Sequence, residues 1–334
     1  MNTLPLRAIL ICLAIFLFPG SALAAQPMKR CINVLGDDQE WFLPNGFFKP
    51  HHIDKIKSAG FDTIRLNLKA FPQMDASGSI SRSWINSLHD LVNSATKSDL
   101  NVILDQHDFR SCGEDFKNCS QKLPVFWRQI SKEFSASPDN VIFELHNEPN
   151  GQLTIERWND MIPYLLKIVR SNNPHRKVII GPGGWNSFSN IRHLALPPDP
   201  NLIVTFHYYN PLKFTHQGIP QIQSSRTIKE PTVTWGTSDE KTALGKYLDS
   251  IKKWSLDNKR EILIGEFGVF SAAPSGSRIE WNSNLISGAE ERSIGWCYYQ
   301  FEGQFGIYSR SGESWLPDTG VIESLNSINN RIQR

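Results

Sequence analysis

The chain has 334 residues, 35 Lys and Arg against 33 Asp and Glu for a formal charge of +2, and 40% hydrophobic residues. Its cations are scattered without the basic stripe that nucleic acid requires. After the first two dozen residues, no stretch approaches the roughly 20 apolar residues of a membrane span. The balance suits a neutral polymer or small neutral molecule, and the length suits one large domain that buries its core without staples.

The N-terminus reads as a targeting segment. Arg7 supplies the positive region, residues 8–18 the apolar run, and Ala22-Leu23-Ala24 a small-residue cleavage site. Cleavage after Ala24 leaves residues 25–334 as a single catalytic domain, with an uncleaved anchor as the alternative. The product is expected to be secreted or periplasmic.

Strand and helix signals then alternate. A strand over 31–35 precedes a short helix over 50–59, closed by Gly60. A strand over 61–68 leads to a helix over 83–97 with an apolar stripe at Trp84, Leu88, Leu91 and Val92. Strand 102–105, helix 123–134, strand 141–145 and helix 154–169 follow, then strand 178–181, a weakly helical stretch over 191–194 and strand 202–208. A long loop over 210–238 precedes helix 241–254, strand 262–265, helix 279–291, strand 294–299 and a terminal helix from 321. Eight strands alternating with helices and no break in composition predict one (β/α)8 TIM barrel. An open doubly wound sheet is the competitor, but the first turn, Gly36-Asp37-Asp38-Gln39, has no glycine-rich phosphate loop.

Four cysteines follow the cleavage site. Cys112 and Cys119 share a polar loop and are disulfide candidates in an oxidising compartment. Cys31 and Cys297 fall within strands, where cysteine is expected as a small buried hydrophobe.

A barrel carries its chemistry at the C-terminal ends of its strands, and the chemically distinctive residues fall there. The run Val-Ile-Phe-Glu-Leu-His ends in Asn147-Glu148-Pro149, which puts a carboxyl beside an amide at a strand exit. Glu266 follows four apolar or small residues, so it must find a partner or perform a function, because an unpaired buried charge is expensive. Two acids on two strand ends are what glycoside hydrolysis needs. Arg65, inside an apolar strand, is either a structural ion-pair partner or the cation that orients a nucleophilic carboxylate. His107 and His207 suit contacts to substrate hydroxyls or proton tuning. A metal is the rival use of these imidazoles, but no His-Glu-x-x-His or comparable cluster is present, and none is expected. Trp185 and Trp235 lie on loops and suit stacking against sugar rings, whereas Trp296 and Trp315 are equally compatible with core. Gly181-Pro182-Gly183-Gly184 lacks a phosphate-loop pattern, and no G-x-S-x-G elbow points to an esterase.

Taken in order, Arg65, His107 in Leu104-Asp105-Gln106-His107, Asn147-Glu148-Pro149, His207-Tyr208-Tyr209 and Glu266 in Ile264-Gly265-Glu266-Phe267-Gly268 resemble glycoside hydrolase family 5, the cellulase-type endoglycanases. The segment over 214–218 is also similar to some bacterial members. The resemblance spans essentially the whole mature chain. It implies a retaining double displacement with Glu148 as acid/base and Glu266 as nucleophile. Asn147 would hold the sugar 2-hydroxyl, Tyr209 and Arg65 would position the nucleophile, and His107 and His207 would line the cleaved subsite. Tyr299, in Trp296-Cys297-Tyr298-Tyr299, stands where the family carries a tryptophan beneath that sugar. The implied activity is that of a monomeric, cofactor-free endo-β-1,4-glucanase on cellulose-like polysaccharide. Alternatives are the same machinery on mannan, mixed-linkage or β-1,3-glucan, and a carbohydrate-binding or transglycosylating barrel.

Overall fold

The computed structural model describes residues 28–35, 48–219, 232–311 and 314–325. The targeting segment, the turn at 36–39 and part of the long loop lie outside the described residues. Eight strands, β1 (Arg30–Leu35), β2 (Thr63–Leu68), β3 (Asn101–Gln106), β4 (Val141–Glu144), β5 (Val178–Ile180), β6 (Leu202–His207), β7 (Glu261–Phe267) and β8 (Gly295–Tyr298), pair in parallel in chain order and close into a barrel. Around it run α1 (Ile53–Ser58), α2 (Arg82–Lys97), α3 (Phe109–Glu114), α4 (Phe116–Glu133), α5 (Ile155–Asn172), α6 (Leu212–Thr215), α7 (Ser238–Asn258), α8 (Ser275–Glu291) and α9 (Thr319–Leu325).

Alternation along each strand divides its side chains between two cores. Outward residues such as Ile64, Leu66, Val102, Leu104, Phe143 and Phe206 pack against the apolar stripes of the helices, including Trp84 and Leu88 of α2. Inward residues at the lower end, namely Cys31, Ile103, Ile142, Ile179, Ile203, Leu263 and Cys297, form a separate apolar floor inside the barrel. Higher up the same inward rows the residues turn polar: Asn33, Arg65, Asn67, Asp105, Glu144 and Thr205, all fully buried. This polar layer supports the mouth.

Several local signals set element boundaries beyond the sequence expectation. Helix α4 begins at Phe116 rather than near 123, because the Asp115 side chain accepts a hydrogen bond from the Asn118 amide at 3.0 Å and caps it. Helix α7 begins at Ser238, where Thr237 and Glu240 form a capping box. A two-stranded antiparallel hairpin, β9 (Tyr308–Ser311) and β10 (Ser314–Pro317), was not anticipated from its short strands; its Trp315 stacks on Phe48, with ring centroids 6.3 Å apart.

The cysteines divide into one expectation met and one corrected. Cys112 and Cys119 form a disulfide, with Cα atoms 4.8 Å apart. Cys31 and Cys297 are not separate buried thiols: they form a second disulfide. Barrel closure makes β1 and β8 neighbours and puts these two residues opposite each other in register. Neither strand read alone carries that information.

Candidate active site

The buried guanidinium of Arg65 organises the polar layer. Its Nε and Nη2 donate to the two oxygens of Glu144 at 2.7 and 2.9 Å, and Nη1 donates to Asn33 Oδ1 at 2.6 Å. Nη1 also reaches Glu266 Oε1 at 2.9 Å, and Nη2 reaches Asn147 Oδ1 at 2.7 Å and Asp105 Oδ2 at 3.1 Å. The five donors of the planar fork match five hydrogen bonds, with Asp105 adding an ion pair, a set that a lysine could not serve. The three carboxylates around it hold its proton more tightly than in free arginine. One cation among three acids leaves the cluster rich in negative charge. Burial accordingly raises Glu144 and pushes Asp105 up to about 7, against the pull of Arg65.

Glu266 enters this cluster through a β-bulge. Leu263 faces the barrel floor and Ile264 the outer core, so simple alternation would turn Glu266 outward. The register of β7 shifts between Ile264 and Phe267, and that of β6 between Phe206 and His207. Gly265 makes room for the shift, since a Cβ there would lie 2.5 Å from Thr205 Oγ1 and 3.1 Å from His207 Nε2. Glu266 thereby points inward, and Tyr209 Oη donates to its second oxygen, Oε2, at 3.0 Å. Each of its two oxygens thus has its own donor.

Glu148 sits four residues beyond the end of β4, its side chain 14% exposed at the mouth. Its Oε1 lies at hydrogen-bonding distance, 2.6 Å, from His207 Nδ1, and the same nitrogen lies 3.5 Å from Glu266 Oε2. Burial pushes Glu148 up to about 8, while Arg65 and Arg110 pull the other way. His207 is pushed down to about 4, chiefly by burial, and is neutral at neutral pH. One oxygen of Glu148, one of Glu266 and a nitrogen of His207 lie within 4.8 Å of one another. The same trio is a possible cation ligand set, but a metal there would occupy both carboxylates at once.

His107, buried beside this group, places Nδ1 2.5 Å from Asp105 Oδ2 and 2.9 Å from Asn67 Nδ2, and burial holds its pKa well below the usual value. Asn147 keeps its amide NH2 turned away from Arg65. The chain after it is tied to the β5 loop: Asn186 Nδ2 donates to Asn147 O at 3.1 Å, and the Gly184 and Trp185 amides donate to Pro149 O at 2.8 and 3.1 Å.

A cleft of about 1120 Å³ opens over these residues and takes in His107, Asn147, Glu148, His207, Tyr209, Glu266 and Tyr299. Trp185 forms part of its wall. It is 55% exposed, meets Phe109 edge to face at 6.2 Å, and holds φ at 63°, a conformation rare for a bulky side chain. Tyr299 stands 6.4 Å from Tyr209 and 5.7 Å from Phe305 by ring centroids. Trp235 requires a correction. Although loop-borne, it is 5% exposed and lies in the outer core, where its amide and carbonyl both bond Ser277 Oγ at 3.2 and 3.1 Å. Its loop wraps onto α8 and leaves it outside the cleft. Trp296 is core as well, its Nε1 donating to Glu290 at 3.2 Å.

Sequence reasoning passed over Glu144 and Asn33. Glu144 carries the same signal as Arg65, a charge inside an apolar strand, but it lies next to the chemically more distinctive Asn147-Glu148-Pro149. Asn33 had no signal, because a lone amide in a strand is unremarkable until its neighbours are known.

The sequence model of the family described as Cellulase (glycosyl hydrolase family 5) matches residues 27–304. Endoglucanase H of Acetivibrio thermocellus is 30% identical over 289 residues, which cover 82% of this chain but only 30% of that protein. Among solved structures, Cel5A of Thermotoga maritima in complex with cellobiose superposes with a TM-score of 0.81 at 31% identity, over 89% of this chain and 97% of that one. The same enzyme in complex with mannotriose gives a TM-score of 0.81 at 30% identity, again over 89% and 97%. Among the described residues, no helix is long and apolar enough to cross a membrane.

Proposed function

Because the chain belongs to glycosyl hydrolase family 5, and is therefore a glycoside hydrolase, we propose that it is a retaining endo-β-1,4-glucanase in which Glu148 is the acid/base and Glu266 the nucleophile. The observation that carries this reading is the approach of the two carboxyls to within 4.8 Å. Retention needs oxygens about 5–5.5 Å apart, whereas inversion needs roughly 6.5–9.5 Å to admit a water.

The two environments suit different roles. Glu148, pushed up to about 8, holds a proton at neutral pH and can give it to the leaving oxygen. Glu266, oriented by Arg65 and Tyr209, attacks the anomeric carbon as the glycosidic bond breaks, forming a glycosyl ester. Glu148, now ionised, takes a proton from the incoming water, which attacks the same carbon and releases Glu266. His207 neighbours both acids and can steady the proton on Glu148. Asn147, its carbonyl oxygen held by Arg65, presents its NH2 toward the sugar. Trp185 offers an apolar face to a sugar ring farther along the cleft. The two buried disulfides and the N-terminal targeting pattern suit an exported protein.

A second reading keeps the mechanism and changes the chain it cuts. The neighbouring structure with mannotriose makes mannan a specific rival. Pure cellulose derivatives, mixed-linkage glucan, β-1,3-glucan and mannan, compared by reducing ends released, decide between them. Highest kcat/KM on β-1,4-glucan supports the first reading, and highest on mannan the second.

A further inference from the structure

The loop that carries Glu148 is fastened to a neighbour that has no part in the reaction as described. Asn150 is buried, and its Nδ2 donates to the backbone carbonyl of Glu148 at 2.7 Å and to that of Phe109 at 3.3 Å. Its other face presses on Gly113, where a Cβ would lie 2.2 Å from Asn150 Oδ1. The next residue, Gly151, has φ +54°, and a Cβ on it would lie 2.5 Å from the Gly113 carbonyl. Gln152 completes the seam: its amide donates to Gly113 O at 2.7 Å and its side chain to Glu114 O at 2.6 Å. Gly113 and Glu114 lie inside the ring closed by Cys112 and Cys119, whose sulfurs are buried. Backbone, side-chain and steric contacts therefore all join the acid-bearing loop to one disulfide-closed segment.

We propose that Asn150, seated against the Cys112–Cys119 ring, is a positioning residue for the proton donor: it fixes the Glu148 backbone and so keeps the carboxyl at the buried mouth. The inference rests on Glu148 being the acid/base. Without the brace, water reaches the carboxyl and the donor drifts from the glycosidic oxygen. The step that needs the proton slows, while attack by Glu266, held through Arg65 and Tyr209 on other strands, does not.

The test uses two substrates. Hydrolysis of cellopentaose needs a proton on the leaving oxygen, whereas 2,4-dinitrophenyl β-cellobioside expels a stable phenolate without one. For Asn150→Ala, kcat/KM on cellopentaose should fall on the order of 10-fold to 100-fold, the effect of misplacing a catalytic group. On the aryl glycoside it should stay within about twofold, since that reaction bypasses general acid catalysis. The basic limb of the cellopentaose profile should move toward lower pH, because burial is what raises Glu148. Gly113→Ala, which keeps the Asn150 side chain but pushes it off its seat through the contact with Oδ1, should reproduce the pattern. Equal losses on both substrates, no loss in a folded variant, or failure of both variants to fold would each overturn the proposal, the last by making the brace a requirement of the fold. Glu148→Gln is the control. If it fails to separate the two substrates, the acid/base assignment itself is wrong; if it separates them and Asn150→Ala does not, only the brace is wrong.

Discussion

The two ends of the barrel are built from the same strands and obey opposite rules. At the floor, Ile103, Ile142, Ile179, Ile203 and Leu263 interdigitate around the Cys31–Cys297 bond. At the mouth, Arg65 faces three carboxylates, and Asp105 and Glu148 are both pushed far above their ordinary range. Among the described residues, buried polar atoms without a partner include Asn67 Oδ1, Asp105 Oδ1, Asn186 Oδ1 and His207 Nε2, all in or just beneath the mouth. Such groups destabilise a fold unless another interaction compensates. The floor is chosen for packing and the mouth for chemistry, which is the usual opposition between stability and activity.

Substitutions at the two ends should therefore separate the two properties. The largest effect is expected at the mouth. Glu266→Ala or Glu148→Ala should lower kcat on polysaccharide by at least roughly 10³-fold, with a melting temperature equal to or above that of the parent. A fall in both properties would blur the division. At the floor, the paired change Cys31→Ala/Cys297→Ala should do the reverse. The bond closes nearly the whole described chain, with a sequence separation of 266. Its removal should cost about 5–6 kcal/mol by loop-closure entropy, read as a drop in denaturant midpoint, with kcat unchanged well below the transition. Gly265→Ala lies between the ends. The added methyl meets Thr205 and His207, so the bulge that aims Glu266 should relax, and activity should fall about 100-fold, as when a reacting group is misplaced by an ångström.

A subtler separation is in pH. Glu148 ionises near 4.5 when exposed and near 8 in the folded protein. Between those values the unfolded chain gives up the proton and the folded one keeps it, so this group favours unfolding increasingly as pH rises. Glu148→Gln should raise the melting temperature at pH 8 and leave it nearly unchanged at pH 4; the opposite order would contradict the shift. In the parent enzyme the same ionisation should end activity as pH climbs through about 8. The smallest effect is expected at Trp185, where replacement by Ala removes a stacking face and should raise KM a few-fold, about 1 kcal/mol or less, with kcat little changed. A change confined to kcat would argue against a binding platform.

Much of this division was legible in the sequence. Alternating strand and helix signals specified the barrel, charges inside apolar strands marked Arg65 and Glu266, and the Asn147-Glu148-Pro149 run at a strand exit marked Glu148. What escaped depends on closure and on loops. The Cys31–Cys297 bond exists because the first and last strands meet, a fact that no local pattern contains. Asn33 and Glu144 matter because of the guanidinium that lies between them. Trp185 and Trp235 both sit on loops with similar surroundings in sequence, yet one loop stands over the cleft and the other wraps onto α8. The inward turn of Glu266 needs a bulge, and its only trace in the sequence is Gly265.

The separation of Glu148 and Glu266 by no more than 4.8 Å between their near oxygens makes stereochemistry the most direct measurement. Proton NMR of the first product released from a β-glucan oligosaccharide should show the β anomer, with the α form growing in only by mutarotation. Initial release of the α anomer would mean that water, not Glu266, attacks the sugar.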